Sequence, residues 1–501
     1  MKQKAKILGL TLTALLGIAA LTGCSSSDSG KKENGDGKAK FTIMANLHTP
    51  EVPSDKIQKL IEEKTNTELT IQWTPDGNYE EKLSTAFSTQ TLPEVVFLKN
   101  ITTFLQFKEA IRDDQFWEIE PYFDEFPNLQ NLNPQILNNT RVEGKLYSLY
   151  RGTPLARQGL IYRKDWADNL GLKAPTNIDE FYEMARAFTE DDPDGNGKDD
   201  TFGLTDRSDL VYGAFKTVSS WFGTPNNWGE KDGQLLPEFM FDEYIETMDF
   251  FKDLRDKKYI NQDFPVTSKD DQQAFFKNGT AGMYVGSMSD VESIHRDAVD
   301  INPDVEYDVV NKIEGPNGEF GIWAVPGYGT VVLFPKSAIK DEEQLKDILA
   351  FFDKMASPEV ANLSFWGIEG EHYELKDGKS LASDNAEIID REVKPYQSLT
   401  IGEPATTGRY EVLSDYEIKM KAEDLIVENE EYIIADPTVM LDSKTNIERG
   451  EILQQQMDDA TYQYILGKID LKGFEKAIDN WKKGGGDQII EEFNQSWKET
   501  K

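Results

Sequence analysis

The sequence predicts a mixed α/β protein that folds into two lobes, and two observations support this prediction. From residue 41 onward, segments with the period of a strand alternate with segments with the period of a helix. This alternation is typical of a parallel or mixed sheet covered by helices. The part of the chain able to fold, about 460 residues, is also longer than one hydrophobic core usually serves. A content of 38% hydrophobic and 11% aromatic residues indicates a globular protein.

The first elements form a βαβαβ pattern. It predicts three strands and two helices, namely strands over 41–47, 68–73 and 94–98 and helices over 53–66 and 78–90. Ligands of such sheets lie beyond the carboxyl ends of the strands. The side chains of Asn46, His48 and Asn100 are therefore expected near a binding site.

Later elements follow the same logic. Residues 144–164 have no helical period and predict extended segments. Residues 177–190 predict a helix that Asn177 caps, with Glu180 three residues later. The turn at Gly315–Gly318 precedes a strand pattern that runs through Leu333 and then a helix. From about residue 445 the chain is predicted to be mostly helical, with an interruption at the three glycines 484–486.

The amino terminus has the features of a secretory signal. Three lysines and no acid precede an apolar run over 7–20 that is too short to remain as a membrane-spanning helix. The next residues, Leu-Thr-Gly-Cys24, look like a lipobox, which implies cleavage after residue 23 and a lipid on the Cys24 sulfur. A signal peptide with a chance cysteine is the alternative. Residues 24–40 are then a lipidated cysteine and a flexible tether, because residues 25–40 are almost devoid of apolar side chains.

The charge excludes some partners. The chain carries a formal net charge of −36. Loss of residues 1–23 removes three of the 54 basic residues and none of the 90 acidic ones, which leaves 51 − 90 = −39. Such a field repels nucleic acid and anionic membrane surfaces, so neither is expected as a partner. Attachment to the membrane is expected through the lipid alone, on the extracytoplasmic face.

Five stretches follow the lipobox-like segment in order: GLIYRKDWADNLGLKAPTNIDEFYEMARAF, FFKNGTAGMYVGS, GPNGEFG, FPKSA and GIEGEHYEL. Together they resemble the bacterial extracellular solute-binding proteins of family 1, specifically lipoproteins that serve ABC oligosaccharide importers. The resemblance covers residues 41–500. It implies a two-lobed, periplasmic-binding-protein-like fold of type II. Each lobe is then a mixed sheet flanked by helices, and the ligand lies in the cleft between the lobes.

The resemblance also implies how the chain divides. Lobe one is expected from residues 41–150 plus about 320–365, and lobe two from about 151–319 plus 366–501. The crossings between the lobes are then expected at three places: near Arg151–Arg157, near Gly315–Gly318 and near Gly367–Gly370. Glycine and turn residues at two of these places suit hinges.

The acidic stretch DDPDGNGKDDTFG over 191–203 predicts a calcium site. Counted from Asp192, it matches the oxygen ligands of an EF-hand-type loop at Asp192, Asp194, Asn196, the Lys198 carbonyl and Asp200, with glycine at the sixth position. Relatives with this loop close it with an acid after the ninth position, where this chain has Thr201. A solvated turn is the alternative. Bound calcium would be structural, since oxygen ligands saturate it.

Aromatic and polar side chains are the candidates for sugar binding. Tryptophan faces suit the C–H faces of sugar rings, and the candidates are Trp228, Trp221, Trp323 and Trp366. Each of them could instead be a core residue, as we expect for Trp166. Polar groups must pair with the sugar hydroxyls; the candidates are Arg151, Arg157, Asn46, His48, Glu371 and His372, any of which could instead form surface or hinge salt bridges.

Enzyme signatures are sparse in this sequence. It contains no G-x-S-x-G segment, and none of its three histidines are spaced four apart as in a zinc motif. A pair of glycosidase carboxylates remains open by counting alone. The sequence therefore predicts a monomeric, lipid-anchored receptor that delivers an oligosaccharide to the transmembrane subunits of an ABC permease. A carbohydrate-active enzyme and a surface adhesin are the alternatives.

Overall fold

The computed structural model describes residues 37–49, 51–383 and 385–499. The predicted signal segment, Cys24 and nearly all of the predicted tether lie outside the described residues. Residues 39–501 form one compact unit, to which the following description refers. In the described part of the chain, no helix is both long and apolar enough to cross a membrane.

The strands and helices are numbered along the chain. The strands of the described residues are β1 (Ala39–Leu47), β2 (Thr67–Pro75), β3 (Val95–Leu98), β4 (Ser148–Gly152), β5 (Gln158–Arg163), β6 (Phe202–Thr205), β7 (Trp228–Lys231), β8 (Gln234–Pro237), β9 (Ala281–Ser287), β10 (Tyr307–Val310), β11 (Ile322–Trp323), β12 (Tyr328–Leu333), β13 (Tyr373–Lys376), β14 (Lys379–Ala382) and β15 (Ile433–Ile434). The first ten helices are α1 (Lys56–Thr65), α2 (Tyr79–Ser88), α3 (Ile101–Arg112), α4 (Pro127–Gln130), α5 (Pro134–Asn139), α6 (Lys164–Leu170), α7 (Ile178–Glu190), α8 (Ala214–Trp221), α9 (Asp242–Asp256) and α10 (Lys269–Lys277). The later helices are α11 (Val291–Val299), α12 (Glu342–Met355), α13 (Pro358–Trp366), α14 (Ala386–Glu392), α15 (Lys394–Gln397), α16 (Pro404–Thr407), α17 (Glu417–Asn429), α18 (Lys444–Ile465), α19 (Leu471–Trp481) and α20 (Asp487–Glu499).

The first lobe is built on a five-stranded sheet in the order β2-β1-β3-β12-β4. Strands β1, β2 and β3 are parallel, with Ile43 opposite Ile71 and Val95, and β12 is antiparallel to both β3 and β4. Strand β4 therefore runs in the same direction as β1. The predicted βαβαβ pattern is confirmed, and the carboxyl ends of these four strands lie at one edge of the sheet.

The second lobe is built on a four-stranded sheet in the order β10-β5-β9-β6. Strand β6 is parallel to β9, and β5 is antiparallel to both β9 and β10. Gln158, at the start of β5, pairs with Ser287, at the end of β9. The amino end of β5 thus lies at the same edge as the carboxyl ends of β6, β9 and β10.

Separate hydrophobic cores underlie the two sheets. One core joins the first sheet to α3 and α12, and a second core joins β5, β6 and β9 to α7, α8, α9 and the carboxyl-terminal helices. Helix α7 shows how the sequence specifies such packing. Ile178, Phe181, Ala185 and Phe188 are buried on one side, and the Asn177 side chain caps the helix by accepting from the Glu180 backbone N–H. The predicted two-lobed α/β class is confirmed.

The connections between the lobes start at the two sheet edges just described. The first runs over 152–157, from the end of β4 to the start of β5, and the second over 311–327, from the end of β10 to the start of β12. Within the second connection, β11 pairs in parallel with β15. These two connections include the places where we expect the first two crossings, and their role as hinges remains a prediction.

The third expected crossing differs from the structure. We expect residues 366–501 in the second lobe, but Tyr396, Leu399 and Ile401 are buried in the core of the first lobe. The Tyr396 hydroxyl also donates to the Ser54 carbonyl at 2.7 Å. The segment up to about residue 403 thus belongs with lobe one, and α17 is the first later helix to pack on the second lobe, against β10.

The predicted break at the three carboxyl-terminal glycines is a kink between two helices, within Lys482–Gly486. Gly485 adopts a φ of 134°, a backbone conformation that residues other than glycine rarely adopt. Helices α19 and α20 meet at this kink.

Candidate functional site

Polar side chains gather at the carboxyl edge of the first sheet. The Asn46 amide nitrogen donates to Asp76 Oδ1 at 3.1 Å and to His48 Nε2 at 2.7 Å. The Lys99 ammonium donates to the Asp76 carbonyl at 3.1 Å. The structure therefore brings Asn46 and His48 together, as the strand ends predict. Asn100 lies close by but is used locally, because its Oδ1 caps α3 at the N–H of Thr103, 2.8 Å away.

Asp76 is the residue of this group that sequence reasoning missed, although it directly follows β2. Partial burial raises its pKa, but the hydrogen bond from Asn46 and the charge of Lys99 outweigh that effect, so its pKa lies below the ordinary value. Asp76 is therefore ionised at neutral pH. This edge offers donors and acceptors together, which is what a sugar hydroxyl requires.

The corresponding edge of the second sheet contains a polar hollow of about 200 Å³. It is lined by Arg157, Gln158, Arg207, Asp209, Tyr212, Lys269, Tyr284, Ser287 and Asp290. Within it, Arg207 pairs with Asp209 at 3.3 Å and Lys269 pairs with Asp290 at 3.4 Å. The Tyr212 ring is 45% exposed and is an aromatic surface that sequence reasoning did not single out.

The two edges are close because the chain between them is short. The connection over 152–157 can span at most roughly 20 Å. Arg151 lies at its start and is half-buried, and Arg157 lies at its end and is exposed. Both predicted arginines therefore border the region between the lobes, and their role in ligand binding remains a prediction.

A larger cavity, of about 790 Å³, lies elsewhere. It is lined on one side by Asn138, Arg141, Glu143 and Gly144, and on the other by residues from Met440 to Glu499. These residues include the turn that precedes β4, and so they are near the amino end of that strand rather than its carboxyl end. Since ligands of open α/β sheets bind beyond the carboxyl ends, the smaller hollow and the carboxyl edge of the first sheet are the candidate ligand site.

Two of the four tryptophans that we considered candidates for sugar binding in the cleft are instead core residues. Trp221 is fully buried, and its ring meets Phe181 edge-on at 5.6 Å. Trp323 is 3% exposed and donates from Nε1 to the Thr217 hydroxyl at 3.0 Å. It borders the site only indirectly, because its ring contacts Tyr212 at 5.7 Å.

The other two tryptophans are half-buried. Trp228 begins β7 and packs edge-on against Phe493 of α20 at 4.9 Å, within the core of the second lobe. This contact favours the core alternative for Trp228. Trp366 ends α13 and donates from Nε1 to the Tyr410 carbonyl at 3.0 Å. Its contribution to a sugar site remains a prediction.

Glu371 and His372 have structural partners. Glu371 forms an ion pair with Lys56 at the start of α1. His372 is fully buried, and its Nδ1 accepts from the Ile368 backbone N–H at 3.0 Å. This bond places the ring proton on Nε2, which points to Glu392 Oε2 at 3.5 Å. The cluster of Glu371, His372 and Glu392 therefore does not offer the imidazole lone pair that a metal needs.

The acidic loop after α7 folds around its own side chains. Asp192 accepts from the backbone N–H groups of Asn196 and Gly197 at 3.1 and 3.0 Å. The Asn196 amide nitrogen bridges Asp194 Oδ2 and Asp200 Oδ1, at 2.7 and 3.1 Å. The donor set is oxygen-rich, exposed and brought to one place, so it suits a hard cation.

Thr201 is not part of this donor set. Its hydroxyl donates to the Phe188 carbonyl at 2.9 Å, and the residue is 9% exposed. Where relatives have an acidic residue, this chain therefore has a hydroxyl that binds a backbone carbonyl in the last turn of α7.

Comparison with known proteins gives a consistent result. The family model for the bacterial extracellular solute-binding protein matches residues 50–362. The chain is 41% identical, over the full length of both chains, to the polygalacturonan/rhamnogalacturonan-binding protein YtcQ of Bacillus subtilis. It is 34% identical to lipoprotein LipO of the same organism, over all of this chain and 99% of that one.

A solved structure agrees with the fold. The alginate-binding protein AlgQ2, in a crystal structure without calcium ion, superposes with a TM-score of 0.64 at 15% identity, over 92% of this chain and 98% of that one. The family match covers more than half of the chain, and the full-length identity to YtcQ agrees with it. The chain is therefore a member of the bacterial extracellular solute-binding protein family.

Proposed function

We propose that this protein is the extracytoplasmic receptor of an ABC importer and that it binds an oligosaccharide between its lobes. The observation that supports this most directly is the pair of polar sheet edges joined by short connections, since each lobe can then supply part of one site. A ligand held by both edges binds the closed arrangement better and shifts the population towards it. Closure would present the loaded form to the transmembrane subunits of the permease.

The ligand we favour is an acidic pectic oligosaccharide. The relative with 41% identity over its full length is named for polygalacturonan and rhamnogalacturonan. The cleft borders of this chain carry Arg151, Arg157 and Lys269, although the chain as a whole is strongly acidic. Local positive charge at the site can bind an anion despite the overall field, because charges farther than about 8 Å away are screened at physiological salt.

This function predicts binding without turnover. Trigalacturonate should bind in a calorimetric titration with one ligand per chain, and small-angle scattering should show a smaller radius of gyration in the complex. No new reducing ends should appear during prolonged incubation, since a receptor does not cleave its ligand. Release of reducing ends would instead favour the enzyme alternative. Binding to long polymer but not to short oligomers would favour the adhesin.

Membrane attachment through a lipid on Cys24 belongs to the same proposal. It is supported by the lipobox-like segment and by the likeness to a relative named as a lipoprotein. A receptor of this kind would act as a monomer on a tether, close to the permease.

We also propose that the loop over Asp192–Asp200 binds calcium as a structural ion. Asp192, Asp194, Asn196, the Lys198 carbonyl and Asp200 would hold it. The ion would offset two of the three negative charges and fix the loop between α7 and β6. The loop precedes the amino end of β6, whereas Arg207 of the polar hollow follows the carboxyl end of that strand, so the ion would not contact the sugar directly.

Removal of calcium is expected to lower the melting temperature. An ion present at 100 times its dissociation constant stabilises the folded state by about 2.7 kcal/mol. The Asp194→Ala variant should lose the response to calcium in thermal melting. Asp199→Ala is the matched control, because Asp199 lies in the same loop, is exposed and is not among the proposed ligands. Equal melting of the wild-type protein with calcium and with chelator would contradict the site.

A further inference from the structure

Two arginines near the carboxyl end of β4 form no hydrogen bond or ion pair through their guanidinium groups within the described residues. The first, Arg151, is the fourth residue of β4 and lies opposite Thr330 of β12. The second, Arg409, is far away in sequence but follows a segment that is fixed to the end of β4. The Gly402 N–H donates to the Tyr150 carbonyl at 2.7 Å, and the Gly152 N–H donates to the Gly402 carbonyl at 2.9 Å.

The Arg409 side chain is held in place by a ring. Its guanidinium carbon lies 4.1 Å from the centre of the Phe365 ring, which is the geometry of a cation–π contact. Stacking fixes the plane of the guanidinium without using its N–H donors. The donors therefore remain free to bind another group.

Neither arginine has an acceptor. Within the described residues, no side-chain hydrogen bond or salt bridge is formed by Arg151 or by Arg409, although both are half-buried. The arginines that do form ion pairs are Arg112, Arg141, Arg163, Arg186, Arg207, Arg255, Arg296 and Arg391. In a chain with 90 acidic residues, two half-buried guanidiniums without a carboxylate are a costly arrangement.

The electrostatics of the pair agree with the geometry. Burial, together with the positive charge of Arg151, lowers the pKa of Arg409 to about 10. Burial also lowers the pKa of Arg151. Both groups are still cationic at neutral pH, and each raises the free energy of the other. An anion between them would remove this repulsion.

The nearest acidic groups do not neutralise the pair by contact. Glu403 accepts from the Tyr150 hydroxyl at 2.7 Å through Oε2, and its buried Oε1 has no hydrogen-bond partner. Burial raises the pKa of Glu403 and that of Glu430, whose charge also interacts with Glu403. The negative charge of Glu403 partly offsets the effect of Arg151 on the pKa of Arg409, but within the described residues neither acid forms a hydrogen bond or ion pair with the two guanidiniums.

We infer that Arg151 and Arg409 form a subsite that binds the carboxylate of a uronic acid residue in the oligosaccharide. A carboxylate is planar and accepts two parallel N–H bonds from one guanidinium, or one bond from each of two. The position at the end of β4 is the edge to which the family fold brings its ligand. The inference rests on the proposed function. It adds the chemical group of the ligand that is recognised and the two residues that recognise this group.

The test uses trigalacturonate and its carboxyl-reduced, neutral counterpart as calorimetric probes. Arg151→Gln and Arg409→Gln should each weaken trigalacturonate binding roughly 10- to 150-fold, because a hydrogen bond to a charged group is lost. Neither should change the affinity for the neutral trimer. Arg409→Lys should lose less than Arg409→Gln, because the charge stays while the second parallel bond does not. Arg296→Gln is the control, since this arginine is 73% exposed and, within the described residues, pairs with its neighbour Asp297 alone.

Thermal melting without ligand separates this role from a structural one. Because the two guanidinium groups repel each other, the Arg409→Gln variant should melt at the wild-type temperature or above it, even though it binds trigalacturonate poorly. Glutamine variants that bind trigalacturonate as tightly as the wild type would overturn the subsite and leave the receptor function standing. A wild-type protein that binds the neutral trimer as tightly as trigalacturonate, or binds neither trimer, would overturn the acidic ligand and the subsite together.

Discussion

The Trp221→Ala variant should lose about 3–5 kcal/mol of its free energy of unfolding while its folded fraction binds ligand normally. Trp221 is fully buried in the second lobe, and the edge-on contact with Phe181 at 5.6 Å would be lost with the ring. The cavity left behind cannot refill easily, because the interior around it is close-packed. Urea unfolding, followed by calorimetry on the folded protein, measures both quantities on one variant.

Trp221→Phe gives the matched comparison. Within the described residues, the buried Nε1 of Trp221 has no hydrogen-bond partner. Phenylalanine keeps an aromatic ring and removes this unsatisfied donor, which costs about 1–3 kcal/mol when buried. The phenylalanine variant should therefore lose much less stability than the alanine variant. A Trp221→Ala variant that is as stable as the wild type but no longer binds trigalacturonate would show that Trp221 is a ligand-binding residue of the cleft.

The error about Trp221 has a physical cause. Residues 222–227, which follow Trp221, contain polar side chains together with glycine and proline, which suggests a loop. Trp221 itself is the last residue of α8, whose residues are all buried, including Lys216, Thr217 and Ser219. These polar groups are paired, as in the 2.8 Å ion pair of Lys216 with Glu238. Ala214, Val218 and Trp221 have the spacing of one helical face, but a helix of 8 residues is shorter than the window over which periodicity identifies a helix.

The amino-terminal part of the first lobe could be predicted because its signals are local. Strands β1 to β3 alternate with amphipathic helices, and their carboxyl ends define where Asn46 and His48 lie. The assignment of residues 366–403 failed because it depends on contacts across the whole chain. The bond from the Tyr396 hydroxyl to Ser54 is one such contact, and no spacing in the sequence reports it.

The residues of the candidate site also divide into those that local sequence signals predict and those that long-range contacts bring into place. Arg151 and Arg157 could be predicted because they lie at a connection between two strand patterns. Arg409 could not, because only the pairing of Gly402 with the end of β4 brings it to Arg151. Asp76 follows the end of β2 directly, and a stricter use of the strand-end rule would have found it. Tyr212 lies in the segment between β6 and α8, and no strand-end signal marks it.

The Gly315→Ala variant is expected to lose at least about 3 kcal/mol of unfolding free energy, at the upper end of the range for overpacking. A methyl group on Gly315 would lie 1.8 Å from the Trp221 carbonyl oxygen and 2.8 Å from its carbonyl carbon. Both atoms are backbone at the end of α8, so no side-chain rotation relieves the clash. The backbone of Gly315 itself is in a region open to alanine, and the cost is therefore one of space alone.

The loop that contains Gly315 cannot move aside cheaply. The Ile178 N–H donates to the Glu314 carbonyl at 2.9 Å, and the Glu314 N–H donates to the Thr176 carbonyl at 2.9 Å. These bonds tie the loop to the start of α7 while α8 blocks its other side. Gly77→Ala is the control, because no atom lies within 4 Å of its added methyl group and its φ is also ordinary. It should change stability by less than about 0.5 kcal/mol. Urea unfolding of both variants decides the matter, and equal stabilities would mean that the loop does not pack against α8 as described.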